Sequence, residues 1–341
     1  MYQKRLLQVI FVVIVQLSIS YQGVGQDIHY SQFYNSPQNL NPALTGVFNG
    51  DHRFTLSHRD QWRFVPVPWT TFSAAYDRNI LPYNSEKYFY GFGLNINYDR
   101  QGDAKLTLIN AALNGAFHYL LNSKNILSLG GNVGYATKGF DTKSLRWGNQ
   151  WDGEVFNTNL DNQEGFQNTE RVNYLETGLG LNYRYQKSAR TYVDLGGSLL
   201  HLLEPKVSFK SENDVKLPRR LTMSGVGNFK LTEHLDLQLH ALHQIQSKYK
   251  ETVLGGLGKI YLNQNRGKEL QLHLGLGYRT SGSLIPTAAL QYNAWYVSFN
   301  FDVDSTPYND ALDTNRGAYE LHLRYIIKNV KPFRFKNCPI L

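Results

Sequence analysis

The chain contains a single cysteine, Cys338, among its 341 residues. One thiol can form no internal disulfide and no cysteine-based zinc site, so backbone pairing and packing must hold the fold. Charged residues are scarce, at 18%. Past residue 25 no run approaches about 18 consecutive apolar residues, which excludes a helical membrane protein. HExxH, EF-hand and nucleotide P-loop signatures are missing as well. His240 and His243 lie closest to a metal-ligand spacing among the ten histidines, but a separation of three in an alternating segment puts them on opposite faces. The glycines of 255–258 sit inside such a segment, not between a strand and a helix, and read as room for large neighbours to pack. Ser57, His58 and Ser73 lie on strands, and nothing marks any of them as activated. No catalytic residue, cofactor or metal is expected.

The N-terminus has the form of a secretory signal over residues 1–25. Lys4 and Arg5 make the basic start, and residues 6–19 form an apolar core broken only by Gln8, Gln16 and Ser18. Gly23 and Gly25 are the small residues before a cut that leaves Gln26 first. The apolar stretch is shorter than the ~20 residues of a spanning helix, so cleavage is expected rather than anchoring. No cysteine stands near the cut, which argues against a lipoprotein. The formal charge of +8 becomes +6 on removal of Lys4 and Arg5, since residues 1–25 hold no acid. The remaining Lys and Arg are scattered rather than gathered into a stripe, so nucleic acid is not an expected partner; contact with anionic headgroups of outer-membrane lipid, or a generic solubility effect, is the reading of the surplus.

Aromatics make up 13% of the chain, with 23 Tyr against 18 Phe, and there are 29 Gly. Tyr and Trp favour membrane–water interfaces, where the ring is apolar and the tip polar. The mean hydropathy of −0.41 resembles that of a soluble protein, but a barrel shows lipid only every second strand residue. The alternation is explicit in Tyr90, Phe92, Leu94, Ile96 and Tyr98, which oppose Gly91, Gly93, Asn95 and Asn97. Leu270, Leu272, Leu274, Leu276 and Tyr278 oppose Gln271, His273, Gly275, Gly277 and Arg279 in the same way.

This pattern predicts an all-β fold, a transmembrane antiparallel β-barrel of about 14 strands over residues 51–327. The strands are expected near 51–60, 70–79, 88–98, 106–120, 125–138, 171–186, 189–202, 219–231, 234–247, 250–262, 268–280, 283–293, 294–304 and 317–327. The long links follow strands one, five, seven and thirteen, all odd-numbered, as extracellular loops must be when the N-terminus is periplasmic. A soluble sandwich would carry many Lys and Glu on its polar face; here that face carries Gly, Asn, His and Ser. Among its sparse charges, Glu176, Arg184, Asp194, Glu320 and Arg324 are expected to pair across the lumen and brace it.

Two regions stand apart from the strands. Residues 26–50 are loop-like and aromatic, with Tyr30, Phe33 and Tyr34, and are expected to fold into the periplasmic mouth as a plug. The loop 139–170 carries Trp147, Trp151, Phe156 and Phe166 among polar residues. A loop of that length is usually functional or disordered, and its aromatics point to an interaction surface. A tail, 328–341, continues past the last strand and is expected on the periplasmic side.

The segment QDIHYSQFYNSPQNLNPALTG at 26–46, with SHRDQWRFVPVPWTTFSAAYD at 57–77, resembles the PorP/SprF family of outer-membrane proteins from Bacteroidetes. The resemblance rests on Ser31-Gln32-Phe33-Tyr34, the Asn41-Pro42-Ala43 turn, Gly46, Arg59-x-Gln61-Trp62 and Ser73-x-x-Tyr76-Asp77. Glu320-Leu321 and the ending Lys336-Asn337-Cys338-Pro339 extend it along the chain. It implies a barrel in the outer membrane of a Gram-negative bacterium, tied to type IX secretion and gliding motility. The implied partners are periplasmic machinery components and a secreted protein with a C-terminal sorting domain, which the barrel helps export or anchor. A passive porin for small solutes is the alternative. Tyr30, Phe33, Tyr34, Asn41, Pro42, Trp62, Trp147, Trp151 and Phe156 are the residues expected to plug the barrel or meet a partner.

Overall fold

A computed structural model describes residues 27–62, 68–82, 87–142, 145–157, 159–160, 163–166, 169–210, 214–304 and 317–328. The expected signal segment 1–25 and nearly all of the tail, with Cys338, lie outside the described residues. The strands are β1 His52–Gln61, β2 Trp69–Ile80, β3 Tyr88–Gln101, β4 Leu106–Asn122, β5 Asn125–Asp141, β6 Thr169–Ser188 and β7 Thr191–Leu200. They continue as β8 Arg220–Lys230, β9 Leu235–Gln246, β10 Tyr249–Asn263, β11 Leu270–Arg279, β12 Ser283–Tyr292, β13 Trp295–Asp304 and β14 Ala318–Ile327. Each pairs antiparallel with its neighbours in sequence, and β1 pairs with β14 to close the barrel. Closure leaves no open edge, the condition for a sheet to cross a bilayer. The strand ends differ from the sequence expectation by at most three residues.

Period-two alternation sets the two surfaces. Along β3, Tyr90, Phe92, Leu94, Ile96 and Tyr98 face outward and are exposed, while Gly91, Gly93, Asn95, Asn97 and Asp99 face the lumen. The same outward row continues in Leu274, Leu276 and Tyr278 of β11 and in Trp295, Val297 and Phe299 of β13. Aromatic pairs mark both ends of this belt. Trp62 and Trp69 lie 4.8 Å apart at one end, and Trp295 and Tyr325 4.3 Å apart at the other. Outer-membrane placement follows from this surface and from the closed sheet.

The four long links leave from one end, together with the tight turns after β3, β9 and β11. β6, of 20 residues, is about twice the ~9–11 that a tilted strand needs to cross a bilayer. β4 and β5, of 17 residues each, rise beside it as a ridge under the loop after β5. At the opposite end the register slips between Leu120 and Asn122, Gln186 and Ser188, and Tyr261 and Asn263. These are bulges of the kind that finish barrel rims.

Candidate functional site

The lumen is occupied by the chain's own N-terminal segment. Residues 27–50 begin at the long-loop end, run the length of the barrel and leave at the opposite end. There the Asp51 N–H donates to the Ile327 carbonyl at 2.8 Å. The segment therefore reaches well beyond the mouth at which the sequence placed it. It folds as three single turns, Phe33–Asn35, Pro37–Leu40 and Pro42–Leu44, each too short to be stable alone. The barrel wall supplies what holds them.

At the long-loop end Asp27 lies 2.8 Å from both His201 Nε2 and Arg220 Nη1, and Glu176 lies 2.8 Å from His201 Nδ1. Burial alone would lower the pKa of His201, but the Asp27 and Glu176 carboxylates raise it to about 9. His201 also holds a left-handed backbone, φ 55°, a conformation that is costly for a residue with a Cβ.

One turn deeper, the backbone N–H groups of Ser31 and Gln32 donate to the two carboxylate oxygens of Glu320 at 2.7 and 3.0 Å. Glu320 is fully buried and also pairs with Arg59. Asp302 accepts from the Ser31 hydroxyl at 2.7 Å and from Arg59 and Arg279 at 3.1 Å each, and Arg279 reaches Glu251 at 2.9 Å. Within this cluster carboxylates and guanidiniums are thus interleaved, each buried charge beside an opposite one.

Ser57, His322 and Glu320 form a hydrogen-bonded chain, 2.8 Å from His322 Nδ1 to the Ser57 hydroxyl and 3.2 Å from His322 Nε2 to Glu320. The order matches that of a nucleophile, a base and an orienting acid. Here, however, each residue is at most 2% exposed, and Tyr30 packs edge-on against the His322 ring.

Below these ions is a small apolar core. Phe33 and Leu40 of the segment pack with Leu242, Val253 and Ile285 of the wall, and Tyr34 borders them. Tyr34 lies 4.7 Å, ring to ring, from His240. Tyr30 reaches the Ser73 hydroxyl at 2.7 Å.

Asn41 does two jobs. Its side-chain oxygen caps the last turn by accepting from Ala43 N at 2.9 Å, and its amide nitrogen donates to the carbonyls of Leu181 and Gly197 at 2.9 and 3.2 Å. The turn it caps lies against lumen-facing glycines. A Cβ at Gly130 would stand 2.6 Å from the Ala43 Cα, and one at Gly196 would stand 2.8 Å from the Asn41 amide nitrogen. Gly46, with φ 81°, then turns the chain, its N–H held by Asp77 at 2.7 Å. Asp77 in turn pairs with Arg53 at 2.6 Å.

The outer rim is the second region. Phe140, Phe166 and Phe209 join the loops after β5 and β7, with centroids 5.5 and 4.9 Å from that of Phe140, and Trp147 stacks on Phe166 at 5.9 Å. Gln150 organises the first loop. Its carbonyl accepts from Asn157 N at 2.8 Å, and its side-chain amide donates to the Leu160 carbonyl at 3.1 Å. Trp151 and Phe156 face each other at 5.0 Å across a short bridge, both exposed, with Val155 and Leu160 exposed nearby.

The family model for the type IX secretion system membrane protein PorP/SprF matches residues 23–325. The chain belongs to the PorP/SprF family. It is an outer-membrane β-barrel of the type IX secretion system. No curated protein matches it in sequence. Among solved structures it is similar to the Ralstonia pickettii toluene transporter TbuX, at 12% identity and a TM-score of 0.48, covering 84% of this chain and 91% of that one. It is also similar to a Pseudomonas aeruginosa FadL homologue at 9%, 0.46, 84% and 92%, and to the P. putida toluene transporter TodX at 11%, 0.46, 85% and 93%, in the same order. At such identities nothing about ligands carries over to this member of the PorP/SprF family.

The candidate residues divide between the two regions. Tyr30, Phe33, Tyr34, Asn41 and Pro42 lie in the lumen segment; Trp147, Trp151 and Phe156 lie on the outer rim. Trp62 belongs to neither and packs on Trp69 at the end of the lipid belt. Of the lumen charges, Arg184 pairs with Asp194 at 3.0 Å, Glu320 with Arg59 and Glu176 with His201, but among the described residues Arg324 meets no carboxylate and stacks on Tyr296 instead. Its strand, β14, carries Glu320 four residues away, and Arg59 from β1 reaches that carboxylate first.

The family motif Asn41-Pro42-Ala43 was visible in the sequence, but its receptor was not. Glycines facing the lumen on β3, β5, β6 and β7 were the available signal, because Gly within a strand marks close backbone approach. Of the 255–258 glycines only Gly255 fits the packing reading, since a Cβ there would overlap the His240 ring; Gly256 and Gly258 face outward. Among the described residues no group of three His, Cys, Asp or Glu is arranged to hold a metal ion.

Proposed function

We infer that this PorP/SprF barrel is a non-enzymatic surface partner for a specific secreted protein with a C-terminal sorting domain, which it helps export or retain through the type IX apparatus. The observation that carries this reading is the chain's own segment threaded through the lumen. A segment tied to the wall by ion pairs at one end, an apolar core in the middle and a glycine cradle below leaves the two rims as the working surfaces. The outer rim supplies exposed Trp151, Val155, Phe156 and Leu160 on a loop ordered by Gln150, a contiguous apolar surface of the kind that marks protein contact. The burial of Ser57, His322 and Glu320 supports a non-catalytic role.

Gene deletion tests the reading, with sorting-domain proteins followed in medium and on cells. Loss of one such protein from the surface is expected; full secretion and retention of all of them would sink the proposal. Replacing Trp151 and Phe156 with Ala is expected to leave the barrel folded and weaken retention of that protein.

A passive channel for small solutes is the second reading. The space left between segment and wall in the short-link half of the lumen favours it. A large, steady open pore in a planar bilayer would support the channel; small, flickering conductance supports the plugged partner.

A further inference from the structure

The short-link half of the lumen is not filled. Between the segment and the wall is a cavity of about 290 Å³ that shares Tyr192, Lys259, Gln291, Tyr296 and Arg324 with a vestibule of about 400 Å³. Arg190, Asn263, Glu269, Asn293 and Lys328, which also line the vestibule, lie at the short-link ends of their strands. In barrels of this kind that end faces the periplasm.

The charge in this space is one-sided. Arg53, Arg184 and Arg190 are each neutralised, by Asp77, Asp194 and Asp236 at 2.6, 3.0 and 2.7 Å. Three cations are left, Lys259, Arg324 and, at the mouth, Lys328, against one further carboxylate, Glu269. Lys259 and Arg324 line both cavities, and no carboxylate among the described residues lies within ion-pair distance of either. The Arg324 guanidinium lies 4.3 Å over the Tyr296 ring, an arrangement that leaves its in-plane N–H fork free. In the cavity wall the Gln238 side-chain nitrogen is buried with no acceptor. In sequence, residues 329–341 add Lys331, Arg334 and Lys336 and no acid. Even with Glu269 counted, positive charge outnumbers negative charge in the vestibule, and the missing counterpart is an anion.

We propose that this vestibule binds the carboxylates of an acidic, extended peptide segment entering from the periplasm, with Lys259 and Arg324 as its charge partners. The size is that of a small-ligand site, which admits an extended chain and excludes a folded domain. The neutral lining is rich in side-chain amides, Asn49, Asn182, Gln238, Gln271 and Gln291, each able to donate to and accept from a peptide backbone. A dedicated phosphate site would instead converge backbone N–H groups, and here the wall's N–H groups are engaged in strand ladders. The basic tail of the chain itself has the wrong charge to be the occupant. The proposal does not depend on which protein the outer rim receives.

The test uses the full mature barrel in detergent and a fluorescein-labelled Asp/Glu-rich decapeptide, read by anisotropy at low salt. Saturable binding that weakens as salt rises is expected. Lys259→Gln and Arg324→Gln are each expected to weaken it roughly tenfold or more, with Lys259→Arg retaining most of it. If Arg324→Gln does not fold, Lys259→Gln and Lys259→Arg still decide the matter. Equal binding of an Asn/Gln decapeptide would overturn the proposal. So would unchanged affinity in the folded Lys259→Gln protein, or displacement of the peptide by inorganic phosphate at equimolar concentration.

Discussion

Replacing Gly130 with Ala should unseat the lumen segment without unfolding the barrel. The added Cβ would stand 2.6 Å from the Ala43 Cα and 2.5 Å from the Pro42 carbonyl carbon, where carbon atoms need about 3.5–4.0 Å. Both neighbours are backbone, so no side chain can swing aside. β5 is hydrogen-bonded to β4 and β6 along its length, so the segment moves, by about 1 Å. That shift carries the Asn41 amide out of hydrogen-bonding range of the Leu181 and Gly197 carbonyls, now 2.9 and 3.2 Å away. Two hydrogen bonds at about 1 kcal/mol each, with about 1–3 kcal/mol of overpacking, come to about 3–5 kcal/mol of lost seating.

The assays are limited proteolysis of residues 27–50 and conductance in a planar bilayer. Faster cleavage and more frequent open events are expected, with heat-modifiable migration on gels unchanged. Gly131→Ala is the control. Its Cβ would point outward and make ordinary contacts with the Leu179 side chain at 3.4 Å and the Gly178 carbonyl oxygen at 3.5 Å. If Gly130→Ala is as protected and as closed as Gly131→Ala, the cradle does not hold the segment.

Leu274 is an exposed member of the outward row of β11, and Leu274→Arg should cost about 2–4 kcal/mol of folding free energy in lipid; an unchanged unfolding curve would show that this face is not in the bilayer. The His201 contact should be pH-dependent. Because its pKa is raised to about 9, the stabilisation is full below the ordinary value of about 6.5 and is lost as pH rises through about 9. A spin label at residue 28 should become mobile across that range, with a full effect of up to about 3 kcal/mol. His201→Gln should remove the transition, and a wild-type label equally rigid at pH 7 and pH 10 would refute the assignment.

Alternation was sufficient to place all fourteen strands, because facing lipid on one side and a crowded lumen on the other imposes a strict period of two. Tyr90 to Tyr98 in β3 could be assigned to a surface from the residues alone. The Asn41-Pro42-Ala43 turn and Gly46 could be picked out as a motif. What they dock against could not be read, since Gly130, Gly180 and Gly196 lie 88 to 155 residues away in sequence from Asn41–Pro42 and come together only when the sheet closes. Glu320 and Arg59 were each visible; that Glu320 also holds the backbone of Ser31 and Gln32 was not. Arg324 illustrates the limit best. The sequence made it one more bracing charge, and its actual neighbour is the Tyr296 ring, with no carboxylate among the described residues in ion-pair distance.

Residue type and order by themselves determined that this chain is a barrel in a membrane, how many strands it has and which faces meet lipid, because those follow from local periodicity. Only the closed structure decided where residues 27–50 run, which charges neutralise one another and which are left over. Those outcomes depend on contacts between residues hundreds of positions apart, and barrel closure and strand register, not any local pattern, determine which of them meet.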